Sequence, residues 1–146
     1  MSDTSRVASG PPRQPKRDVV AAVLERDGRF LVGKRSPHRP AGGYWCPITG
    51  GVEPGEAQAQ AVVREVREET GLAVRAIAKV AECDTHDGSA VIHWWRVQAL
   101  DDAPARLEND EHTELAWASI EEMKRLSPVF LEDVAILERV GAGSNR

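Results

Sequence analysis

Glu65, Glu68 and Glu69 stand at i, i+3 and i+4 in the run REVREET, a spacing that places three carboxylates on one face of an α-helix. Like charges so placed repel, at roughly 0.2–0.5 kcal/mol for each exposed i,i+4 pair, and the pattern therefore calls for a cationic partner. Oxygen donors with no His or Cys among them select a hard ion, Mg²⁺ or Mn²⁺, over zinc. The chemistry such an ion serves is phosphate transfer and hydrolysis, where it neutralises charge on phosphate oxygens.

Residues 50–72, GGVEPGEAQAQAVVREVREETGL, carry the signals that would position those carboxylates. Pro54-Gly55 reads as a tight turn, and Glu56 follows it at the positive end of the helix. Gly71 stands where a left-handed C-terminal cap belongs, ahead of apolar Leu72. Val62 and Val66, with Ala59 and Val63 beside them, form a small apolar stripe, read as facing the core opposite the acidic face. Arg64 precedes Glu68 by four residues and lies two turns beyond Glu56, which suits a guanidinium that holds both carboxylates in place. A merely solvated acidic face would explain neither the placed glycines nor Arg64.

Gly50, Glu56, Arg64, Glu65, Val66, Glu68, Glu69, Gly71 and Leu72 match the Nudix box at every defined position, and the segment resembles that of the Nudix hydrolase family. The resemblance implies an α/β fold, an α/β/α sandwich around a mixed β-sheet, and hydrolysis of a nucleoside diphosphate linked to another moiety. It implies Glu65, Glu68 and Glu69 as ligands of Mg²⁺ or Mn²⁺, with Glu65 or Glu69 also activating water. Gly50, Glu56, Arg64 and Gly71 become the structural partners of the box. Many members carry a glycine pair ending on the box glycine, whereas Thr49 precedes Gly50 here, so Thr49 takes the place whose carbonyl often joins the metal shell. Members also often place a further catalytic or metal-binding glutamate in the acidic loop 107–114, with Glu111 the first candidate and Glu114 its rival.

Outside the box, Arg35 ends a strand near the box loop, where a planar guanidinium could grip a phosphate with two parallel hydrogen bonds. A plain surface arginine is the alternative. A base would stack on Trp45 or on whichever of Trp94 and Trp95 faces the pocket, with Trp95 placed first; the two alternate and must face opposite sides of a strand. His112 could orient a neighbouring glutamate, but a lone loop histidine is ordinarily solvated, and His38 and His86 are read the same way. His93, in mid-strand, reads as a hydrogen-bonded core residue.

The elements expected to carry these groups are strands over 18–25 and 29–34 joined by Asp27-Gly28, the strongest short hairpin signal in the chain. A short strand over 44–49 leads into the box, and further strands follow over 73–83, 90–100 and 114–117. Ser119 with Glu122 forms a capping box for a short helix, and Ser127-Pro128 is read as opening a last helix that runs to Val140. Residues 1–16 and 142–146 read as tails flanking one domain over 17–141. The chain has 146 residues, 29% of them charged and 41% hydrophobic, which is ordinary for one compact domain. A net charge of −4 leaves no basic footprint, so nucleic acid is not expected as the main partner. Cys46 and Cys83 are expected as free thiols in a cytoplasmic protein, since neither a signal peptide nor an apolar run of membrane-spanning length is present. A homodimer is left open.

The expected reaction is metal-dependent hydrolysis of a pyrophosphate bond in a small nucleotide. Residues 73–97 contain neither Pro nor Tyr, whereas ADP-ribose and dinucleoside polyphosphate hydrolases of the family commonly carry one or the other past the box. That favours a nucleoside triphosphate, modified or not, cleaved to the monophosphate and pyrophosphate, with the other two substrates as alternatives. A catalytically silent nucleotide sensor would share the motif. An isoprenoid diphosphate isomerase would need histidine ligands and a reactive cysteine, which the all-glutamate set does not supply.

Overall fold

The computed structural model describes residues 16–141. The expectations for tails over 1–16 and 142–146 lie outside that range except at Lys16, whose Nζ pairs with Asp84 at 3.0 Å.

The apolar run in β1 (Arg17–Arg26) makes it the central strand, because it has side chains to bury on both faces. Val20, Ala22 and Leu24 pack on one side of the sheet, and Ala21 and Val23 pack on the other. Along one edge β1 pairs in parallel with β6 (Ala90–Ala99), from Arg17↔Ala90 to Leu24↔Val97. Its other edge is shared. The first half pairs with β4 (Thr49–Gly51), and only Glu25 and Arg26 at the far end pair with β2 (Arg29–Arg35). The sheet therefore forks: β2 turns away carrying β3 (Trp45–Pro47) and β7 (His112–Ala118), while β6 carries β5 (Val74–Asp84). Helix α1 (Gln58–Thr70) covers one face, and α2 (Ile120–Arg125) with α3 (Leu131–Val140) covers the other. The result is an α/β/α sandwich around a mixed sheet.

The β1–β2 turn places Asp27 at φ 54° and Gly28 at φ 77°, the two left-handed residues that a tight hairpin of matching twist requires. Trp94 is buried on the α3 side with its indole N–H on Cys83 Sγ at 3.4 Å, and Trp95 lies on the α1 side with its N–H on Gln58 Oε1 at 3.0 Å. His93 is buried and bonded through Nε2 to Asp18 at 2.9 Å. Ser119 and Glu122 form the reciprocal cap of α2, at 3.1 and 2.8 Å.

Three boundaries differ from the sequence expectation for physical reasons. The strand expected over 44–49 is two strands with different partners, because buried Ile48 sits at the fork and its carbonyl accepts the Ala22 N–H at 2.9 Å. The last strand begins at His112 rather than at residue 114, since pairing with β2 extends it to Arg35↔His112. Pro128 does not open α3, which starts at Leu131. The Pro128 carbonyl instead accepts the Trp45 N–H at 3.0 Å and Val129 bridges Trp45, so this segment is docked on β3 as extended backbone.

A Cβ added at Gly28 would meet no atom within 4 Å, so the cost of Gly28→Ala is that of left-handed backbone alone, about 1–2 kcal/mol. Urea unfolding should show that loss with an unaltered folded-state spectrum. An unchanged midpoint would mean that the hairpin does not need this conformation.

Candidate active site

Helix α1 is fixed at both ends by local hydrogen bonds. The Ala57 N–H donates to Gln60 Oε1 at 2.9 Å, and the N–H of left-handed Gly71 donates to the Arg67 carbonyl at 2.9 Å. Its buried stripe includes Ala61, Val62, Val66, Thr70 and also Glu69. The acidic and apolar faces are therefore not opposite, as the sequence reading had them: Glu69 follows Val62 by seven residues, which is two turns on the same side. The three glutamates differ accordingly in side-chain exposure, at 53% for Glu68, 14% for Glu65 and 3% for Glu69.

Each of these carboxylates has its own neighbour. The Glu65 carboxyl lies against Gly50, where a Cβ would fall 1.9 Å from Glu65 Cδ. The position needs glycine for space, not for conformation. Arg64 uses all five of its N–H groups: Nε and Nη2 grip the Glu56 carboxylate at 2.7 and 2.8 Å, Nη1 reaches Glu65 at 2.8 Å and Glu68 at 3.2 Å, and Nη2 also donates to the Gly51 carbonyl at 2.9 Å. The Arg64 hydrogen bonds, helped by the Glu53 N–H, hold the Glu56 carboxyl down at about 2.

Glu69 has no such partner. Its Oε1 is buried without a hydrogen bond, 3.3 Å from His112 Nδ1. Burial, and then the Glu65 and Glu111 carboxylates, push it well above the usual carboxylate range, with Arg35 opposing. His112 is not the solvated loop residue that its sequence context suggested. It opens β7 and is buried, and desolvation, followed by the charges of Arg35 and Arg39, pushes its imidazole down to about 4.

The loop over 36–43 closes this end of the site. Arg35 donates through Nε to the Pro40 carbonyl at 2.7 Å and through Nη1 to Thr49 Oγ1 at 3.3 Å. Glu111 is tied to the loop twice, by its carbonyl to the Ser36 N–H at 2.9 Å and by its carboxylate to Arg39 at 2.6 Å. Glu114 points elsewhere, pairing with Lys34 at 3.8 Å. Thus the structure gathers Glu65, Glu69, Glu111, Arg35 and Thr49, and adds Arg39 and His112, which the sequence reading did not select. Trp45 packs with the α3-side core, Trp95 is held by Gln58, and among the described contacts neither ring meets an α1 carboxylate. A different aromatic pair begins at Tyr44, whose carbonyl accepts the Arg35 N–H at 2.8 Å and whose ring is stacked on Phe130 at 4.3 Å and 17°, with His86 tilted against Phe130 at 5.8 Å.

The donors fit a hard divalent cation, being carboxylates with one buried oxygen left without a partner. Among the described residues no three such side chains converge into a finished ion cage. Arg64 Nη1 donates to both Glu65 and Glu68 and brings positive charge to these two carboxylates.

A sequence profile of the NUDIX domain matches residues 14–139. The CTP pyrophosphohydrolase of Escherichia coli K12 is 37% identical over 123 residues, which are 83% of this chain and 88% of that protein. The chain belongs to the Nudix hydrolase family. The solution structure of the E. coli ORF135 protein superposes on this Nudix hydrolase with TM-score 0.67 at 34% identity, covering 88% of this chain and 91% of that one. A MutT protein from Methanosarcina mazei Go1 gives TM-score 0.75, covering 88% and 95%, and at 24% identity it speaks for the fold alone. Nudix hydrolases generally use divalent cations. No helix among the described residues is long and apolar enough to cross a membrane.

The Arg64–Glu56 pair has a pH signature. Because the folded Glu56 carboxyl is depressed, the stability it contributes is present above the unfolded value of about 4.3 and is lost as pH falls through about 2. Arg64→Ala should therefore lower the melting temperature most near neutral pH, and the gap from the wild type should narrow between about pH 4 and pH 2. A gap that is flat across that range would show that Arg64 does not act through this carboxylate.

Proposed function

We propose that this Nudix hydrolase cleaves a nucleoside triphosphate to the nucleoside monophosphate and pyrophosphate, using Mg²⁺ or Mn²⁺ held by Glu65, Glu68, Glu69 and the Thr49 carbonyl. The observation that carries the reading is Glu69, a carboxylate only 3% exposed, beside Glu65, that receives none of the Arg64 hydrogen bonds. A carboxylate kept in that state is costly unless a cation offsets it. When bound, a divalent ion would neutralise charge on the phosphate oxygens and make a water molecule a better nucleophile.

The chain's own groups supply the rest. Gly50 lets the Glu65 carboxyl lie against the backbone of the box loop, so that its position is set by close contact. Glu111, with 27% of its side chain exposed, is open to accept a proton from the attacking water, and Glu65 and Glu69 on the helix are the other two groups the family resemblance offers for that role. Arg35 and Arg39 bracket this end of the site with two guanidinium groups suited to phosphate oxygens. For the base, Tyr44 and Phe130 offer a stacked aromatic surface adjoining Trp45, worth roughly 1–3 kcal/mol for a stacked base. Trp95 is the weaker platform, because its N–H is engaged at Gln58, at the opposite end of α1 from Glu69. A triphosphate substrate is supported by the similarity to a CTP pyrophosphohydrolase along most of both chains.

Matched assays with nucleoside triphosphates, ADP-ribose and a dinucleoside polyphosphate, in Mg²⁺ and with product analysis, test the substrate. Triphosphates should turn over fastest and release pyrophosphate. Faster cleavage of either alternative, or orthophosphate as the sole phosphate product, overturns that assignment, and no cleavage of any of them leaves a nucleotide-binding protein. Glu69→Gln should lower kcat by about 10²–10⁴-fold while the metal-free melting temperature holds, since the amide keeps the size and shape of the carboxyl it replaces. Wild-type turnover of that variant at saturating Mg²⁺ would remove Glu69 from the site.

A further inference from the structure

We infer that His112 is a positioning residue for Glu69: its Nδ1–H donates to Glu69 Oε1 and thereby fixes which carboxylate oxygen is left to face Glu65 and a cation. The inference rests on the reading of Glu69 as a metal ligand.

Three independent features place the ring. Nδ1 of His112 is 3.3 Å from Glu69 Oε1, the two side chains are only 2% and 3% exposed, and neither atom has another partner. Two buried polar atoms that have only each other form a pair that the fold must satisfy internally. The second feature is Gly33, in the middle of β2. A Cβ there would fall 2.5 Å from His112 Cδ2 and 2.9 Å from Cγ, so the strand forgoes a side chain at the point where the imidazole lies. The third is the register of β2 on β7, which is regular from Phe30↔Ala118 to Lys34↔Glu114 and then shifts so that Arg35 faces His112. An irregularity of this kind re-aims a side chain, and here it falls at the residue that meets Glu69.

A neutral imidazole carries one N–H, on one nitrogen or the other. An ionised Glu69 only accepts, so a productive contact requires the proton on Nδ1 and leaves Nε2 bare. Holding Oε1 in this way leaves the second Glu69 oxygen for the Glu65 side of the cluster. Groups that orient a metal ligand in this manner typically change metal affinity or activity by about 10–100-fold when removed.

The tautomer of His112 in the full chain can be read directly by ¹⁵N-correlated NMR of the imidazole in saturating Mg²⁺, which is diamagnetic and keeps Glu69 ionised. A protonated Nδ1 is expected, and a bare Nδ1 with the proton on Nε2 overturns the inference whatever the variants do. In parallel, Mn²⁺ binding is titrated in the wild type, His112→Leu, His112→Asn and Glu69→Gln. His112→Leu should weaken Mn²⁺ about 10–100-fold and lower kcat more than it changes KM, and His112→Asn, which keeps an N–H near the place of Nδ1, should recover most of the loss. A space-filling role alone would give the opposite order, with Leu the better replacement. If Glu69→Gln loses Mn²⁺ affinity while His112→Leu keeps it, the metal site stands and the positioning role falls. If neither variant loses affinity, the assignment of Glu69 as a ligand falls and the inference with it.

Discussion

The acidic helix can exist in this fold because one guanidinium answers most of its charge. Arg64 has five N–H groups, and each is spent on an oxygen of the same loop and helix: two on Glu56, one each on Glu65 and Glu68, and one on the Gly51 carbonyl. These bonds join the turn before α1, the helix itself and β4 into one rigid piece, so the geometry of the carboxylates is inherited from the backbone of the box loop. A lysine could not substitute, having three donors on a single atom and no planar arrangement of N–H groups to match a carboxylate. Gly50 completes the unit by allowing the Glu65 carboxyl to rest where a side chain would otherwise stand.

The rotation of α1 about its own axis then decides what each glutamate can do. Burying Val62 and Val66 against the sheet carries Glu69 inward with them, leaves Glu65 at the boundary and sets Glu68 in solvent. Three glutamates of one helix thus meet three degrees of burial, and for Glu69 that burial raises the proton affinity. The electrostatic asymmetry of the site follows from hydrophobic packing on the helix flank. Moving the apolar stripe by one residue would expose Glu69 and abolish it.

Much of this was readable from local sequence. The continuous apolar run in β1 marks a strand buried on both faces, the Asp27-Gly28 pair marks the hairpin, and Ser119 with Glu122 marks the cap of α2, because each depends on residues within a few positions of one another. The burial of Glu69 was also readable, by counting seven residues from Val62, although a helix face was taken as acidic or apolar when it is both. His112 was harder. NDEHTELAW has the polarity of a loop, and what buries the histidine is a strand pairing formed across some eighty residues of intervening chain. A trace remained in FLVGKR, where a lone glycine inside a strand signals that something approaches the backbone closely. Arg39 left no trace, since its partner Glu111 comes near only through the docking of two irregular loops. Pro128 misled because its value as a helix opener is a local preference, and the fold uses its carbonyl to secure β3 instead.

What the protein leaves unsatisfied is as specific as what it satisfies. Arg64 offsets Glu56, Glu65 and Glu68, yet Glu69 lies deepest of the four and is offered only the distant charge of Arg35 and the neutral ring of His112. A fold selected for stability alone would place an apolar residue there, since exchanging a buried charge for a well-packed side chain is commonly neutral or stabilising. Retaining the carboxylate makes folding and cation binding share one free energy: whatever binds Glu69 in the folded chain and not in the unfolded one stabilises the fold in proportion to its saturation. On the proposed function, the buried Glu69 carboxylate is therefore where stability has been given up in favour of affinity. It lies on the rigid unit built by Arg64, so a cation bound as proposed would be positioned by the same hydrogen bonds that hold the helix and its turn together.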